Sequence, residues 1–209
     1  MQALVSAIIE GDSAESVRHA RELCGQGATT QEIVLLGVEP AMAALDAKCT
    51  LEQFNLLEIM LSGRAVTDVM KALHPSGVTS ADARGTIVVA TLQGDVHDLG
   101  KNILKMVLVG KGYRVVDCGK DCPLDRLAET TEEERPLAVA VSGLITHVIP
   151  QVQQVKDELR RRGLQSVRVV AGGAALKQSS PEKLNVDFVG ETAFDGLHFI
   201  EDLAGPGRE

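Results

Sequence analysis

Apolar residues in the first 74 positions recur at the spacing of one helical face. Glycines and polar capping residues divide this pattern into four helical segments. The segments are the residues around Leu4–Ile8, a helix from an N-cap at Ser13 to about Cys24, a helix that starts at Thr29 or Thr30, and residues 51–73. Pro40 is expected to kink the third helix. The pattern predicts a small antiparallel four-helix bundle.

Residues 85–204 alternate between short apolar runs and amphipathic helical patterns. The strand candidates are 86–92, 113–118, 137–143, 167–173 and 186–190. The first, third and fourth runs are almost continuously apolar, as expected for parallel strands that helices cover on both faces. Helical patterns fall at 100–111, 124–131, 148–162, after Pro181 and at 192–203. This alternation predicts a doubly wound, five-stranded parallel sheet of the flavodoxin or Rossmann-like type.

The segment PSGVTSADARG, residues 75–85, separates these two patterns. It is rich in turn-forming residues and has no apolar periodicity, which is typical of a linker. We therefore predict a helical cap domain over residues 1–78, a linker over 79–84 and an α/β domain over 85–209.

Composition and charge exclude several classes of function. The net charge is -8, aromatic residues make up 2% of the chain, and Trp is absent. A nucleic-acid-binding surface is therefore not expected. No apolar stretch reaches the length of a membrane span, and the N-terminus lacks the features of a signal peptide, so a cytoplasmic location is expected. The four cysteines are expected to be free thiols, because the C-x-x-x-C spacing of Cys118 and Cys122 does not fit a zinc knuckle.

The carboxyl ends of the predicted strands are the expected place for a ligand in a doubly wound sheet. Neither a G-x-G-x-x-G after the first strand nor a P-loop motif is present, so a dinucleotide or P-loop site is not supported. The residues that follow the strands are mostly small or polar: Gly94, Asp95, His97 and Gly100 after the first, Ser142, Gly143, Leu144, Thr146 and His147 at the third, and Gly172 and Gly173 after the fourth.

Asp95 and His97 are the pair with the clearest chemistry. An aspartate that bonds one imidazole nitrogen fixes the tautomer and leaves the other nitrogen as a base or metal ligand. A bare zinc or iron ion would need three or more protein ligands, and Ser142 has no nucleophile elbow. A single histidine suffices for a metal that a macrocycle already holds. On spacing alone, a structural loop in which Asp95 caps the following helix is an equal alternative.

The sequence GDVHDLGKNI, followed by VSGLITH and VVAGGAAL, resembles the cobalamin-binding module of methionine synthase and of small corrinoid proteins in methyltransferase systems. The resemblance runs from about Thr86 to Leu203. The preceding segment, with GVEPAMAALDAKC and a long helix that ends in LHP, is similar to the helical cap domain of the same family.

The resemblance implies a role for each residue of these motifs. His97 would be the lower ligand of cobalt, in place of the cofactor's own dimethylbenzimidazole, and Asp95 would hydrogen-bond to it. Gly100 would let the loop turn tightly against the corrin. The cofactor would contact the loop residues Gly94, Asp95, Val96, His97, Asp98, Leu99 and Gly100. The displaced nucleotide tail would occupy a slot lined by Ser142, Leu144 and Thr146 on one side and by Gly172 and Gly173 on the other, where a Cβ would collide with it.

Two positions depart from the family pattern. Methionine synthase has a serine at the position of Val148, where it extends the His–Asp hydrogen-bond chain. Any proton relay in this chain would use water or another residue, such as His147. In the cap, Leu56 matches a leucine over the upper corrin face, with Ile59 one turn on, whereas Cys49 falls near the position of a phenylalanine.

The function that the resemblance implies is a corrinoid methyl carrier with little turnover alone. Its partners would be separate substrate-specific and acceptor methyltransferases, and a reductive activase is a further candidate. A hinge in the 75–85 segment would move the cap. The alternatives are the small subunit of an adenosylcobalamin-dependent mutase, which the helical first 75 residues disfavour, a cobalamin sensor, for which no DNA-binding helix-turn-helix is found, and an α/β interaction module without cofactor.

Overall fold

A computed structural model describes residues 1–50, 55–75 and 83–205, with all their side chains except those of residues 46 and 48–50. Its internal contacts divide the chain into two compact units. The helical unit comprises Met1–Asp82 and Met106–Tyr113, and the α/β unit comprises Ala83–Lys105 and Arg114–Glu209. The domain boundaries given by the sequence stay predictions. The predicted hinge falls largely on residues 76–82, which lie outside the described residues.

The helical unit contains helices α1 (Gln2–Glu10), α2 (Ser13–Gly25), α3 (Thr30–Ile33), α4 (Glu39–Thr50) and α5 (Leu56–Leu73). Asp12, not Ser13, is the N-cap of α2, since the Asp12 side chain accepts from the N–H of Glu15. Thr29 caps α3 through a reciprocal capping box with Glu32. Helix α2 begins at Ser13 as predicted, but the prediction that Ser13 is its N-cap was wrong.

A π-helical segment, Val34–Val38, joins α3 to α4 directly before Pro40. Proline has no N–H, so Pro40 cannot bond the carbonyl of Leu36 as a residue of an α-helix would. The backbone accommodates this missing bond with a wider turn, which is a known form of local helix distortion. The distortion predicted at Pro40 therefore lies in the turn before it.

Helix α5 begins later than its apolar pattern indicated. Asn55 is extended, at φ -105° and ψ 102°, and its side chain accepts from the N–H groups of Leu57 and Glu58. The helix therefore starts at Leu56 and not at position 51, and residues 51–54 lie outside the described residues. Along α5, Ile59 and Gly63 are buried whereas Leu56 and Met60 are exposed.

The α/β unit contains a five-stranded sheet in which every strand pair is parallel. The strands are β1 (Thr86–Thr91), β2 (Arg114–Asp117), β3 (Ala138–Ser142), β4 (Arg168–Gly172) and β5 (Phe188–Gly190). The helices are α6 (Leu99–Gly110), α7 (Leu124–Glu134), α8 (Ile149–Arg161), α9 (Pro181–Leu184) and α10 (Ala193–Ala204). The predicted fold class, helices followed by a flavodoxin-like parallel sheet, is confirmed.

The strand order β2-β1-β3-β4-β5 places β1 and β3 side by side at the centre. Their residues are almost all buried, as their apolar composition predicts. In sheets of this order, successive strands are added to one side up to β2 and to the other side from β3 onwards, and ligands bind outside the carboxyl ends of β1 and β3, where the strand order reverses. The fold thus brings the loops after β1 and β3 to one edge. Within the described ranges, no helix has the length and apolar character that crossing a membrane requires.

Candidate functional site

The carboxylate of Asp95 joins the loop after β1 to the loop after β3. Its side chain is fully buried. Oδ1 accepts from the N–H of His97 at 2.9 Å and lies 2.7 Å from Nδ1 of the same residue. Oδ2 accepts from the N–H of Leu144 at 2.7 Å and from that of Ile145 at 3.4 Å. The predicted Asp95–His97 hydrogen bond is present, and the bonds to the second loop are additional to it.

These hydrogen bonds keep Asp95 ionised. Burial alone would raise the pKa of Asp95, but the N–H groups of His97 and Leu144 and the His97 ring lower it more, so its pKa lies below the usual aspartate value. An ionised carboxylate only accepts hydrogen bonds, so Nδ1 of His97 carries a hydrogen and the coordinating nitrogen of the neutral ring is Nε2. No described group bonds Nε2, and 52% of the His97 side chain is exposed. The site therefore presents one oriented imidazole nitrogen to solvent.

Three large apolar side chains, two of them within two positions of His97 and the third in the loop after β3, are exposed. Val96 is 57% exposed, Leu99 39% and Leu144 47%. Among the described residues of the α/β unit, they are the only large apolar side chains with such exposure. Exposed apolar residues in the loops at the carboxyl edge of a parallel sheet are typical of a ligand site.

The register of the sheet aligns a row of small residues at the carboxyl edge. Thr91 of β1 pairs with Ser142 of β3, Ser142 pairs with Gly172 of β4, and Gly172 pairs with Gly190 of β5. The hydroxyls of Thr91 and Ser142 are hydrogen-bonded at 2.9 Å. Neither Thr91 nor Gly190 was assigned a cofactor contact from the sequence, although Gly190 was expected at this edge after the fifth strand. The strand pairing that places them in this row is not visible in a single sequence.

The glycines of the predicted site have different structural reasons. Gly173 has φ +104°, and a Cβ there would lie 2.5 Å from the carbonyl oxygen of Gly143. The backbone conformation at position 173 therefore requires glycine even without a ligand. The expectation that this glycine is needed only to avoid a collision with the nucleotide tail is corrected. A Cβ at Gly172 would meet only the Gly190 oxygen, at 3.6 Å, and a Cβ at Gly100 would meet nothing within 4 Å. Protein packing does not require glycine at positions 100 and 172.

Other predicted residues lie in the same two loops. Asp98 directly precedes α6, and its carbonyl accepts from the N–H of Asn102. Thr146 begins a 3₁₀ turn, Thr146–Val148, before α8 and is exposed. A Cβ at Gly94, which has φ +93°, would lie 3.1 Å from the His147 ring.

Val148 is fully buried, and Asp95 Oδ2 accepts from the backbone N–H groups of Leu144 and Ile145 in the β3 loop. His147 is exposed. No hydrogen bond joins His147 to Asp95 or His97 in the part of the chain that the structure describes. His147 is therefore not positioned to extend the His–Asp pair directly.

A charged cluster beside the site was not predicted. Asp117, at the end of β2, accepts from Lys101 Nζ at 2.6 Å, from Lys105 Nζ at 2.9 Å and from the N–H of Gly119 at 2.9 Å. Lys101 is 3% exposed. Burial raises the pKa of Asp117, but the hydrogen bonds from the two lysines lower it more, so the pKa lies below its usual value. The cluster ties the first turns of α6 to β2.

The remaining side chains considered for chemistry are the cysteines, the possible ligands of a bare metal ion and the residues of the cap. Cys24, Cys118 and Cys122 are free thiols, and the last two are buried. No group of three or more His, Cys, Asp or Glu side chains in the described ranges could hold a metal ion by itself. In the helical unit, Leu56 is 38% exposed, whereas Ile59 is 5% exposed and belongs to the core. The side chain of Cys49 lies outside the described ones.

Two curated relatives match nearly the whole chain. The chain is similar to the trimethylamine corrinoid protein of Methanosarcina barkeri, with 27% identity over 195 residues, 91% of this chain and 90% of that protein. It is also similar to dimethylamine corrinoid protein 1 of Methanosarcina acetivorans, with 30% identity over 176 residues and 82% of both chains.

Solved structures share the fold. A cobalamin-binding protein from Desulfitobacterium hafniense DCB-2 superposes with a TM-score of 0.79 at 23% identity, covering 97% of this chain and 98% of that one. A chain of the methanol:cobalamin methyltransferase complex MtaBC from Methanosarcina barkeri superposes with a TM-score of 0.82 at 24% identity, covering 98% of this chain and 79% of that one.

The α/β unit also matches a family model. The model describes the B12 binding domain and matches residues 85–198, which include both loops that Asp95 joins. Since this match covers more than half of the 209 residues, the chain belongs to the B12 binding domain family.

Proposed function

We propose that this protein is a corrinoid methyl carrier that binds cobalamin through His97. One observation carries the proposal: a buried, ionised Asp95 holds the Nδ1 side of His97 and leaves Nε2 exposed at the carboxyl edge of β1. This arrangement supplies one neutral nitrogen ligand with a fixed tautomer and orientation. A cobalt ion held by a corrin would need only one further nitrogen from the protein, and His97 would supply it.

The residues around His97 fit the cofactor. Val96, Leu99 and Leu144 offer exposed apolar contacts suited to the flat, largely apolar face of a macrocycle. At Gly100 and Gly172, an added Cβ would not clash with any protein atom, so the space beside these glycines is open to a ligand. We propose that the row from Ser142 to Gly172, with Gly173, Leu144 and Thr146, lines the slot for the nucleotide tail, and that Gly94 and Asp98 flank the corrin.

The bound cobalt would supply a centre that accepts and releases a methyl group. The chain's own part is to hold and tune the imidazole. Nε2 of His97 can bond either a metal or a proton, and the adjacent Asp95 carboxylate stabilises the positive charge in both states. Because Asp95 is fully buried and its second oxygen is bonded to Leu144 and Ile145, it cannot rotate away from His97 without breaking these bonds.

The partners are proposed from the relatives. The curated relatives are named for trimethylamine and dimethylamine, which favours a methylated amine as the first donor to test. We propose that separate methyltransferases deliver and remove the methyl group, that a reductive activase is a further partner, and that the protein works in the cytoplasm. Leu56, whose side chain is exposed, is the proposed cap contact; the buried Ile59 would have to act by packing behind other side chains.

Spectroscopy of reconstituted protein tests the axial bond. The protein is incubated with hydroxocobalamin, reduced to the Co(II) form and examined by EPR, with natural and with heavy-nitrogen-labelled histidine. A histidine ligand predicts a nitrogen splitting that changes from a triplet to a doublet on labelling. The label-dependent splitting should disappear in His97→Ala and persist in His147→Ala, which removes an exposed imidazole from the neighbouring loop.

A chain that binds no corrinoid, or a splitting that does not respond to the label because benzimidazole remains on cobalt, would contradict the proposal.

Methyl transfer is tested separately. Protein loaded with cobalamin and mixed with a methyltransferase from its gene neighbourhood should take up a labelled methyl group from a methylamine. Light-induced radical chemistry with the adenosyl form would point instead to a mutase subunit.

A further inference from the structure

Asp121 has a backbone conformation that its place in the chain does not explain. The described non-glycine residues with positive φ are Asp121 at 52°, Arg135 at 46° and Asn185 at 53°. Arg135 and Asn185 are the C-caps of α7 and α9, where a left-handed residue is ordinary. Asp121 lies before α7, where no helix ends. A left-handed residue away from a helix end points to a local constraint that holds it there.

Two hydrogen bonds join Asp121 to the loop of His97. The N–H of Asp121 donates to the carbonyl of Asp95 at 3.1 Å, and the N–H of Gly94 donates to Asp121 Oδ1 at 2.8 Å. The bonds run in opposite directions between adjacent residues and form a closed ring. In the left-handed conformation of Asp121, its amide bonds Asp95 and its carboxylate bonds the adjacent Gly94.

Backbone hydrogen bonds continue this contact on the same side. The N–H of Gln93 donates to the carbonyl of Cys122 at 2.9 Å, and the N–H of Cys122 donates to the carbonyl of Thr91 at 3.0 Å. The loop between β2 and α7 thus follows residues 91–95 closely. Within this contact, the carboxylate of Asp121 makes the one side-chain bond, so a substitution can remove it and leave the backbone bonds in place.

The opposite side of the same segment is held by α8 and the β3 loop. Gln151 Nε2 donates to the carbonyl of Gln93 at 2.7 Å, and Asp95 Oδ2 accepts from the N–H groups of Leu144 and Ile145. Residues 93–95 are therefore fixed from both sides of the sheet edge. Asp121 holds the side towards β2, next to the residue whose carboxylate orients His97.

We propose that Asp121 is a positioning residue for the cobalt ligand, an inference that rests on the proposed function. Its carboxylate fixes the amide of Gly94 and thereby the direction in which Asp95 presents its oxygens to His97. Glycine adopts a φ near +52° without strain, so the carboxylate is the feature that aspartate adds at this position. Removal of the carboxylate leaves the Gly94 amide without this acceptor and lets the 93–97 loop sample other orientations.

Three variants separate the side-chain bond from the backbone conformation. Asp121→Gly removes the acceptor and permits the left-handed φ. Asp121→Asn keeps an acceptor oxygen and a residue that tolerates this φ. Arg135→Gly is the matched control, since it replaces another exposed left-handed residue in the same unit.

Asp121→Gly should bind hydroxocobalamin about tenfold more weakly, as expected for the loss of one charge-assisted hydrogen bond. It should also show a mixed Co(II) EPR spectrum in which part of the cobalt has lost the histidine splitting. Asp121→Asn should restore both to within about twofold of the wild type, and Arg135→Gly should leave both unchanged. Wild-type affinity and splitting in Asp121→Gly, or equal losses in the Asn and Gly variants, would overturn the inference.

Amide hydrogen exchange in the protein without cofactor keeps the test independent of the proposed function. The N–H groups of His97 and Leu144 both bond Asp95. Their exchange should accelerate about tenfold in Asp121→Gly and stay at the wild-type rate in Asp121→Asn. Unchanged exchange in Asp121→Gly would refute the positioning role. If the wild type fails to bind hydroxocobalamin while exchange responds as stated, the proposed cofactor function fails and the loop role of Asp121 stands.

Discussion

Asp95 Oδ2 lies 2.7 Å from the backbone nitrogen of Leu144, although 49 positions separate the two residues in the chain. The other oxygen of the same carboxylate holds His97. The orientation of the imidazole therefore depends on the pairing of β1 with β3, and not on the β1 loop alone. A change in either loop should therefore alter the orientation of the His97 imidazole.

Asp95→Asn should destabilise the protein by about 2–3 kcal/mol, because an amide in place of Oδ2 would set its N–H₂ against the N–H groups of Leu144 and Ile145. The measurement is the urea unfolding midpoint of the protein without cofactor. Asp202→Asn, an exposed aspartate in α10, is the control and should leave the midpoint unchanged. Equal midpoints for Asp95→Asn and wild type would show that the asparagine side chain can bond both loops as well as the carboxylate does.

Lys101→Met should cost about 2–4 kcal/mol of unfolding free energy, because it removes the buried partner of Asp117 and leaves a carboxylate that is itself only 20% exposed. Lys105→Met removes the second partner, whose side chain is 41% exposed, and should cost less than about 1 kcal/mol. Chemical denaturation of both variants at pH 7 checks this order. A larger loss for Lys105→Met would mean that the exposed lysine carries the ion pair.

Asp187 should contribute a pH-dependent part of the stability. Its carboxylate accepts from Lys156 Nζ at 2.7 Å and from the N–H of Val169 at 2.8 Å. Burial raises its pKa, but these hydrogen bonds lower it more, so the folded pKa lies below the usual value of 3.8. The stabilisation is therefore complete above pH 3.8 and is lost as the pH falls towards the folded pKa.

Asp187→Asn should accordingly be about 1–2 kcal/mol less stable than wild type at pH 7, and the difference should shrink below about pH 4. Denaturant titrations from pH 7 to pH 3 measure it. Asp157→Asn, an exposed aspartate on α8, should show a difference near zero throughout. A stability difference between Asp187→Asn and wild type that grows as the pH falls would mean that folding raises the pKa of Asp187.

Gly172→Ala and Gly173→Ala should separate a ligand requirement from a folding requirement. At Gly173 the positive φ and the nearby Gly143 carbonyl predict a loss of more than about 2 kcal/mol in stability. At Gly172 an added methyl makes ordinary contacts, so stability should stay within about 0.5 kcal/mol of wild type. Under the proposed slot, Gly172→Ala should nevertheless weaken hydroxocobalamin binding, measured by visible titration. Unchanged binding would place the tail elsewhere.

The elements of the α/β unit were predictable because burial on both faces demands apolar runs such as Ile87–Ala90, and each run gave one strand. The pair Asp95 and His97 was predictable because two residues of one loop can bond each other without knowledge of the fold. Their proximity needs no long-range contact.

The features that were missed depend on contacts between distant residues. Nothing near Asp121 in the sequence indicates that its carboxylate bonds Gly94, 27 positions away. The late start of α5 was missed because apolar periodicity continues through 51–54, whereas the cap at Asn55 decides the boundary. The requirement for glycine at position 173 is set by the carbonyl of Gly143 on the neighbouring strand's loop.

The hydrogen bonds from Leu144 and Ile145 to Asp95 can form only late in translation of the chain. A ribosome-bound chain that ends before Ala138 already contains His97 but has neither β3 nor the two amides that hold the carboxylate. Such a chain has the imidazole without the contacts that orient it. Under the proposed function, cobalamin should therefore bind only after the central strands have been translated, and truncated translation products should bind it poorly.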